Sequence, residues 1–257
     1  VDHDGVNFVP PLIITDDTHA DFAPDVAYDT DNQAIVAWER VAASDFTTDD
    51  PAAMAAEMEI AYSIHDPDLQ SFSPPTLVTV NTRLDHSPEL LSSQGDDLLL
   101  IWRSNAGNEL VGTTDNPTQV HYAAWDPTHV SFDPAATVPI DFVDELFIDA
   151  AWDGTHFIVV WARDMDGDLT DASDVEIWSI THDGTGWGSA TRLTNDAVTD
   201  SNPQVVYCPM GPELLWIHDE DLVRLTDWDT GAFEVIRAGS GAFDFTEFQL
   251  ECSTFDD

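Results

Sequence analysis

The chain has 257 residues, 43% of them hydrophobic, so it can bury a large core, but no apolar run approaches the roughly twenty residues that a membrane-spanning helix needs. Its 50 acidic residues face only 7 basic ones, and the formal net charge of −43 excludes nucleic-acid phosphates and anionic membrane surfaces as partners. Cations, neutral glycans and basic proteins remain, and the acidity fits either a halophilic protein in high salt or a protein in a calcium-rich exterior.

The chain is built from repeats that start at an aspartate and reach a tryptophan after nearly the same number of residues. In each copy a short predicted strand, a tight turn and a second strand of apolar and β-branched residues lead to the tryptophan. A third and a fourth short strand follow before the next aspartate. The four copies begin with Asp21–Trp38, Asp85–Trp102, Asp144–Trp161 and Asp200–Trp216, and a fifth begins at Asp244.

Repeats of four short antiparallel strands predict an all-β fold, a β-propeller in which each repeat is one blade. We predict a single domain with four complete blades and a partial closing blade, which leaves open a five-bladed ring or a fragment of a larger propeller. The best helical candidate is Pro51 to Met58, inside a loop insertion. The predicted blades cover about 21–80, 81–140, 141–196 and 197–238, with the closing blade from 1–16 and 242–257 of the domain 1–257.

The turns between the third and fourth strands share a second signature. An Asp opens the turn and is expected to cap its backbone amides, a flexible residue reverses the chain, and an aromatic residue folds back into the blade. The turns are Asp2 to Phe8, His65 to Phe72, Trp125 to Phe132, Thr181 to Trp187 and Trp228 to Phe233. They resemble a degenerate form of the Asp-box of BNR-type, sialidase-like secreted propellers. In such families the Asp-box is structural, so the resemblance implies the fold and says little about chemistry.

The two cysteines occupy equivalent positions in neighbouring repeats. Cys208 follows Asp200, and Cys252 follows Asp244, by the same number of residues. Equivalent sites on neighbouring inner strands make a disulfide geometrically reasonable, and it would clamp the last strand onto the blade before it. Such a bond indicates an oxidising compartment, hence an extracellular or cell-surface protein. The alternative is two unpaired, buried thiols.

The repeat also brings charged residues to one face of the propeller. The repeat aspartates and the residues that follow the tryptophans are expected there, as a ligand-binding or cation-binding ring. The alternative, favoured because it follows the repeat, is a structural ion pair in each blade that joins Asp21 to Arg40, Asp85 to Arg103, Asp144 to Arg163 and Asp200 to His218. The ring consists of Asp21, Asp85, Asp144, Asp200, Asp244, Arg40, Arg103, Arg163 and His218.

The loop after the third tryptophan departs from the repeat. Its alternating aspartates resemble the oxygen-rich calcium loops of several families, although it differs from an EF-hand in the position of its Gly and lacks flanking helices. The sequence therefore predicts calcium as the cofactor here, with a solvated acidic loop as the alternative. The predicted ligands are Asp164, Asp166, Asp168 and Asp171.

No pattern assigns a catalytic residue. The histidines and cysteines show no zinc-motif spacing, and no serine-nucleophile elbow or phosphate loop is present. We therefore expect a non-enzymatic extracellular binding or scaffold module, calcium-binding, with an acidic loop face for a glycan or protein ligand. The alternative is a glycan-active enzyme related to sialidases or glycosidases, and a third possibility is one blade set of a larger multidomain chain.

Overall fold

The computed structural model of the protein describes residues 11–29, 33–43, 50–93, 97–110, 112–113, 115–140, 148–166, 172–208 and 210–237. In these ranges the chain is almost entirely β and forms four antiparallel sheets, one for each complete repeat. The predicted four-stranded repeat is therefore confirmed, although in the first two sheets the fourth strand is divided into two short strands that both pair with the third. No helix among the described residues is long and apolar enough to cross a membrane. The predicted closing blade falls mostly outside the described residues.

The chain divides into two compact units, and each unit holds two sheets. The first unit takes residues 1–110 and 120–137, and the second takes residues 111–119 and 138–257. The first sheet consists of β1 (Asp21–Tyr28), β2 (Ala34–Val41), β3 (Met58–Asp66), β4 (Ser71–Phe72) and β5 (Thr76–Leu77). The second sheet consists of β6 (Leu84–Ser92), β7 (Leu98–Asn105), β8 (Gln119–Asp126), β9 (Ser131–Phe132) and β10 (Ala136–Thr137).

The second unit repeats this plan. In both of its sheets, strands that are consecutive in the chain pair with each other, as expected for a meander. The third sheet consists of β11 (Ile148–Trp152), β12 (Phe157–Asp164), β13 (Val175–His182) and β14 (Thr191–Arg192). The fourth sheet consists of β15 (Asp200–Cys208), β16 (Gly211–His218), β17 (Asp221–Asp227) and β18 (Ala232–Arg237).

The second strands continue past the tryptophans at which they are predicted to end. In the first sheet β2 continues to Val41 because β3 pairs along it, with Arg40 opposite Glu59 and Val41 opposite Met58. The polar residues that follow each tryptophan are therefore held in the ladder. The predicted helix is present as α1 (Pro51–Ala55), where proline occupies the first turn and the Asp50 side chain accepts the Ala52 amide.

Each described turn between a third strand and the strand after it opens with a capping aspartate, as predicted in the first three sheets. In the fourth sheet the prediction of the cap is wrong, because Asp227, just before the predicted turn from Trp228 to Phe233, accepts the amides in place of Asp229. One carboxylate oxygen accepts two backbone amides within the turn, which replaces the missing ladder bonds. The closing aromatic ring then packs back on the sheet, with Phe132 and Phe233 lying 5.1 Å and 5.3 Å from Trp125 and Trp216, centroid to centroid. The capping residues are Asp66, Asp126, Asp183 and Asp227. The turn from Asp2 to Phe8 lies outside the described residues.

Within each unit the core lies between the two sheets. Trp102 and Trp216, which are 1% and 0% exposed, pack on the preceding sheet, as predicted for an apolar layer between blades. The first unit's core includes Ile35, Ala37, Ile60, Tyr62, Leu98, Leu100 and Trp102. The second unit's core includes Ile158, Val160, Ile177, Val205, Leu214, Trp216 and Val223.

Half-buried carboxylates connect the two sheets of each unit. Asp25 Oδ2 accepts the Leu90 amide at 2.6 Å in the first unit, and Asp149 Oδ2 accepts the Val205 amide at 2.7 Å in the second. These positions correspond in the repeat, because in each unit a first-strand aspartate reaches the first strand of the next sheet. Burial raises the pKa of Asp149 from 3.8 to about 6, although the amides of Val205 and Ala150 oppose the shift.

The raised pKa makes stability depend on pH. The folded protein keeps a proton on Asp149 that the unfolded chain has released, so the free energy of unfolding should fall as the pH rises from about 4 to about 6. The side chain of Asp149→Asn cannot ionise, so the variant should not lose this stability. We expect its free energy of unfolding, relative to that of wild type, to be about 2 kcal/mol higher at pH 7 than at pH 3.5. Urea denaturation at both pH values measures this gain. Asp68→Asn removes an exposed charge as the control, and an equal gain in that variant would contradict the prediction.

Candidate functional site

In three sheets the repeat aspartate accepts a hydrogen bond from the tryptophan indole of the neighbouring strand. Sequence reasoning missed this bond, although the constant spacing was its signal, because a donor and an acceptor that meet across a hairpin must keep their register. The bond satisfies a buried N–H and fixes the aspartate beside the end of the second strand. The bonds join Trp38 to Asp21 (2.8 Å), Trp102 to Asp85 (3.2 Å) and Trp216 to Asp200 (2.7 Å).

In the first sheet the predicted ion pair between Asp21 and Arg40 is present. The two residues are register partners, and Arg40 Nη1 lies 3.5 Å from Asp21 Oδ1. Arg40, only 4% exposed, also forms an ion pair with Asp17, a residue that the sequence analysis did not select. The His19 amide and then the Arg40 guanidinium hold the pKa of Asp17 below its usual value. One arginine thus pairs with two carboxylates.

In the second sheet the predicted pair of Asp85 with Arg103 is wrong. Asp85 lies opposite Ser104, and Arg103 lies opposite His86. Side chains alternate along a strand, so Arg103, directly after Trp102, belongs to the opposite face. The arginine of the first sheet follows its tryptophan by two residues and therefore shares its face.

In the second sheet the side-chain amide of Asn81, and not an arginine, donates to the repeat aspartate Asp85. Asn81 Nδ2 donates to Asp85 Oδ2 at 2.7 Å. Arg103 serves the other face, where burial lowers its pKa to about 10 while the nearby Glu89 and Glu39 carboxylates oppose that shift. Arg103 is therefore removed from the set of residues around the repeat aspartates.

In the fourth sheet histidine replaces arginine, as predicted. Asp200 lies opposite His218, and His218 Nδ1 is 2.8 Å from Asp200 Oδ1. Asp200 is 0% exposed, and burial raises its pKa although Thr194, His218 and Trp216 act in the opposite direction. Asp196 joins this group, and potential ligand atoms of the two aspartates and the histidine all lie within 4.8 Å of one another.

In the third sheet Arg163 stands opposite Glu176 and packs its guanidinium over the indole of Trp178, 5.4 Å from the ring centroid. Trp178 in turn stacks on Trp161, with 6.3 Å between centroids. No carboxylate among the described residues forms an ion pair with Arg163. Asp144, its predicted partner, lies outside the described residues.

Two buried glutamates at the starts of third strands contact the loops before the repeat aspartates, and sequence reasoning missed them. Glu59 and Glu176 are 3% and 0% exposed. Glu59 accepts the Asn81 amide at 2.6 Å, and Glu176 accepts the Asp196 amide at 3.0 Å. Each glutamate therefore fixes the loop that leads into the next repeat aspartate. Burial raises the pKa of Glu59.

The acidic loop of the third sheet brings part of its predicted ligand set together. Carboxylate oxygens of Asp164, Asp166 and Asp174 lie within 4.8 Å of one another, so this group can hold a metal ion. Asp174 was not among the predicted ligands, and a 3₁₀ helix, Ala172–Asp174, carries it to the site. Asp168 and Asp171 lie outside the described residues. Oxygen-only ligands suit a hard cation.

Two further predictions concern the end of the chain. Asp244 and Cys252 lie outside the described residues. Cys208 ends β15, opposite Gly211. The ring position of Asp244 and the disulfide between Cys208 and Cys252 remain predictions.

No protein-family model and no curated protein matches the chain. Solved structures do resemble it. A Hadza microbial sialidase superposes with a TM-score of 0.54 and 10% identity over 84% of this chain and 46% of that one. Trypanosoma rangeli sialidase superposes with a TM-score of 0.52 and 12% identity, over 85% of this chain and 38% of that one. A family 117 glycoside hydrolase of the marine bacterium Zobellia galactanivorans superposes with a TM-score of 0.53 and 12% identity, over 88% of this chain and 72% of that one.

The chain spans less than half the length of these two sialidases. At identities this low the likeness shows the fold alone. It agrees with the four antiparallel sheets and with the repeat from which the fold was predicted. The chain therefore has the β-propeller fold that it shares with sialidases and glycoside hydrolases.

Proposed function

We propose that the chain is an extracellular, glycan-directed β-propeller module whose ligand contacts the end of β12. The observation that carries this is Arg163, an arginine without an ion pair among the described residues of a chain with 50 acidic residues. Arg40, Arg192 and Arg224 all have carboxylate partners. A positive charge left unpaired among so many carboxylates is expected where an external acceptor group binds.

The neighbours of Arg163 suit a sugar. Its planar guanidinium offers paired N–H donors to the vicinal hydroxyls of a neutral sugar. The half-buried indole of Trp178 supports the guanidinium, and Trp178 is itself held in place by its stack on Trp161. The solved structures of the same fold include sialidases and glycoside hydrolases, which supports a glycan over a protein ligand.

A glycan array at matched salt tests this proposal. We expect wild-type protein to be retained by a defined set of neutral glycans, because Arg163 can donate to their vicinal hydroxyls while the net charge of −43 repels anionic sugars. Failure to retain any glycan across a range of salt concentrations would contradict the proposal.

Glycan cleavage is the second candidate activity, favoured by the fold of the glycoside hydrolases that the chain resembles. Carboxylates are so numerous that no pair can be singled out as catalytic. Aryl-glycoside turnover that disappears when one acidic residue is replaced, while the fold survives, would establish an enzyme. Binding without turnover would establish a lectin-like module.

Calcium at the loop of Asp164, Asp166 and Asp174 is part of the same proposal. At fixed ionic strength, calcium should raise the melting temperature and a chelator should lower it, because a cation that binds only the native state stabilises it. Asp166→Asn should weaken this response. A melting temperature that ignores calcium and rises with sodium chloride would instead assign the acidity to a halophilic surface.

The extracellular location rests on the predicted disulfide between Cys208 and Cys252. Mass spectrometry of the alkylated protein without reductant should show no modified cysteine. Two alkylated cysteines in the freshly exported protein would contradict this part of the proposal.

A further inference from the structure

Three positions in the chain are equivalent and lie four residues before a repeat aspartate. At each one a side-chain oxygen accepts the amide two residues further on, which places the three side chains alike. The positions are Asp17, Asn81 and Asp196, which accept the amides of His19, Arg83 and Val198. Asp196 and Asn81 also donate their own amides to the equivalent glutamates Glu176 and Glu59.

The repeat aspartates that follow the first two positions are stabilised in different ways. In the first sheet two carboxylates, Asp17 and Asp21, share the guanidinium of Arg40. In the second sheet Asn81 replaces the extra carboxylate and donates an amide N–H to Asp85 Oδ2 at 2.7 Å. The repeat aspartate therefore has a cationic partner in the first sheet and an additional hydrogen-bond donor in the second.

At the equivalent positions the fourth sheet has neither an arginine nor an asparagine side chain beside its repeat aspartate, Asp200. Asp196 is a carboxylate and cannot donate as Asn81 does, and His218 stands in place of Arg40 without a permanent charge. His218 Nδ1 and the Trp216 indole both approach Oδ1 of Asp200. Oδ2 of Asp200 is buried and has no hydrogen-bond partner among the described residues, although the Thr194 side chain lies close enough to lower the pKa of Asp200.

A buried, ionised carboxylate oxygen without a donor, beside a second carboxylate, is unfavourable unless a proton or a bound cation compensates the charge. Potential ligand atoms of Asp196, Asp200 and His218 already lie within 4.8 Å of one another. We propose that these three residues bind one divalent transition-metal ion of the Zn²⁺ class. Two carboxylates and an imidazole suit such an ion better than Ca²⁺, which prefers oxygen ligands, and three protein ligands leave a coordination position open to an external group.

The surroundings hold the proposed ligands in place. The Trp216 indole fixes Asp200, and the Val198 amide together with Glu176 fixes Asp196. The three ligands come from the β14–β15 loop, the start of β15 and the end of β16. Their distance along the chain explains why no zinc-motif spacing appears in the sequence.

Titration with Zn²⁺ alone at pH 7 and fixed ionic strength tests the proposal by calorimetry and thermal melting. Wild-type protein should bind one ion tightly, and its melting temperature should rise by roughly 5–10 °C at about a hundredfold excess over Kd. Asp196→Asn copies the second sheet and His218→Arg copies the first, so both variants should fold. Each should weaken this binding at least tenfold.

Asp164→Asn, in the separate acidic loop, serves as the control and should leave the Zn²⁺ site intact. Absence of a tight Zn²⁺ site in wild type would overturn the proposal, and so would undiminished binding in Asp196→Asn or His218→Arg. Equal stabilisation by Ca²⁺ through the same residues would also overturn it, because the imidazole would then not be a ligand.

Discussion

Trp102→Ala is expected to lower the free energy of unfolding by about 4 kcal/mol. Trp102 is 1% exposed and packs in the core between the two sheets of the first unit. Its removal leaves a large cavity and takes the indole donor from the buried Asp85. Chemical denaturation at fixed ionic strength measures the loss.

Trp102→Phe separates the two contributions. Phenylalanine keeps most of the buried apolar surface but has no N–H, so we expect a smaller loss of about 1–2 kcal/mol. Tyr28→Ala, at a position 60% exposed, should change stability by less than about 0.5 kcal/mol. Equal stability of Trp102→Phe and wild type would show that the bond to Asp85 contributes nothing to the fold.

Gly231→Ala is expected to destabilise the protein by about 3 kcal/mol or more. Gly231 has a φ of +69°, and a Cβ there would lie far inside van der Waals contact of the Leu193 backbone carbonyl. That carbonyl cannot yield easily, because the Leu193 amide is bonded to Ile177 at 2.8 Å. Either the β17–β18 turn or the strand pairing of the third sheet must therefore shift.

Gly211 provides a matched comparison for this prediction. Its φ of +124° is also positive, but a Cβ would meet no atom within 4 Å. Gly211→Ala therefore carries backbone strain alone, and we expect a loss of about 1–2 kcal/mol. Equal losses in the two alanine variants, measured by the same denaturation experiment, would show that the approach of the turn to Leu193 is not a tight contact.

Much of the fold could be predicted because the repeat has physical causes that leave a trace in sequence. The distance from Asp21 to Trp38 recurs because an indole must reach a carboxylate across a hairpin. The aspartates that cap turns, such as Asp126, recur because the reversed chain needs acceptors for its amides. The lengths of the second strands were harder to predict, since pairing with the third strand carries them past the tryptophan.

The site was only partly predictable. Strand alternation would have placed Arg103 on the opposite face from Asp85, so that error was avoidable. The role of Asp196 could not be predicted from the sequence. It became visible only by comparison with Asn81 at the equivalent position, and that equivalence depends on the loop geometry. The stack of Arg163 on Trp178 joins residues of two neighbouring strands. It could not be predicted, because sequence spacing alone does not specify the register between those strands.

The most direct test of the proposed glycan-directed role is a titration of the glycan that wild type retains on the array. Three proteins are compared: wild type, Arg163→Ala, and Arg224→Ala, which removes an equal charge from a half-exposed arginine paired with Glu234. We expect Arg163→Ala to bind roughly 10–100-fold more weakly and Arg224→Ala to match wild type. Equal affinity of wild type and Arg163→Ala, or no glycan retained by wild type at all, would contradict the proposed binding site at the end of β12.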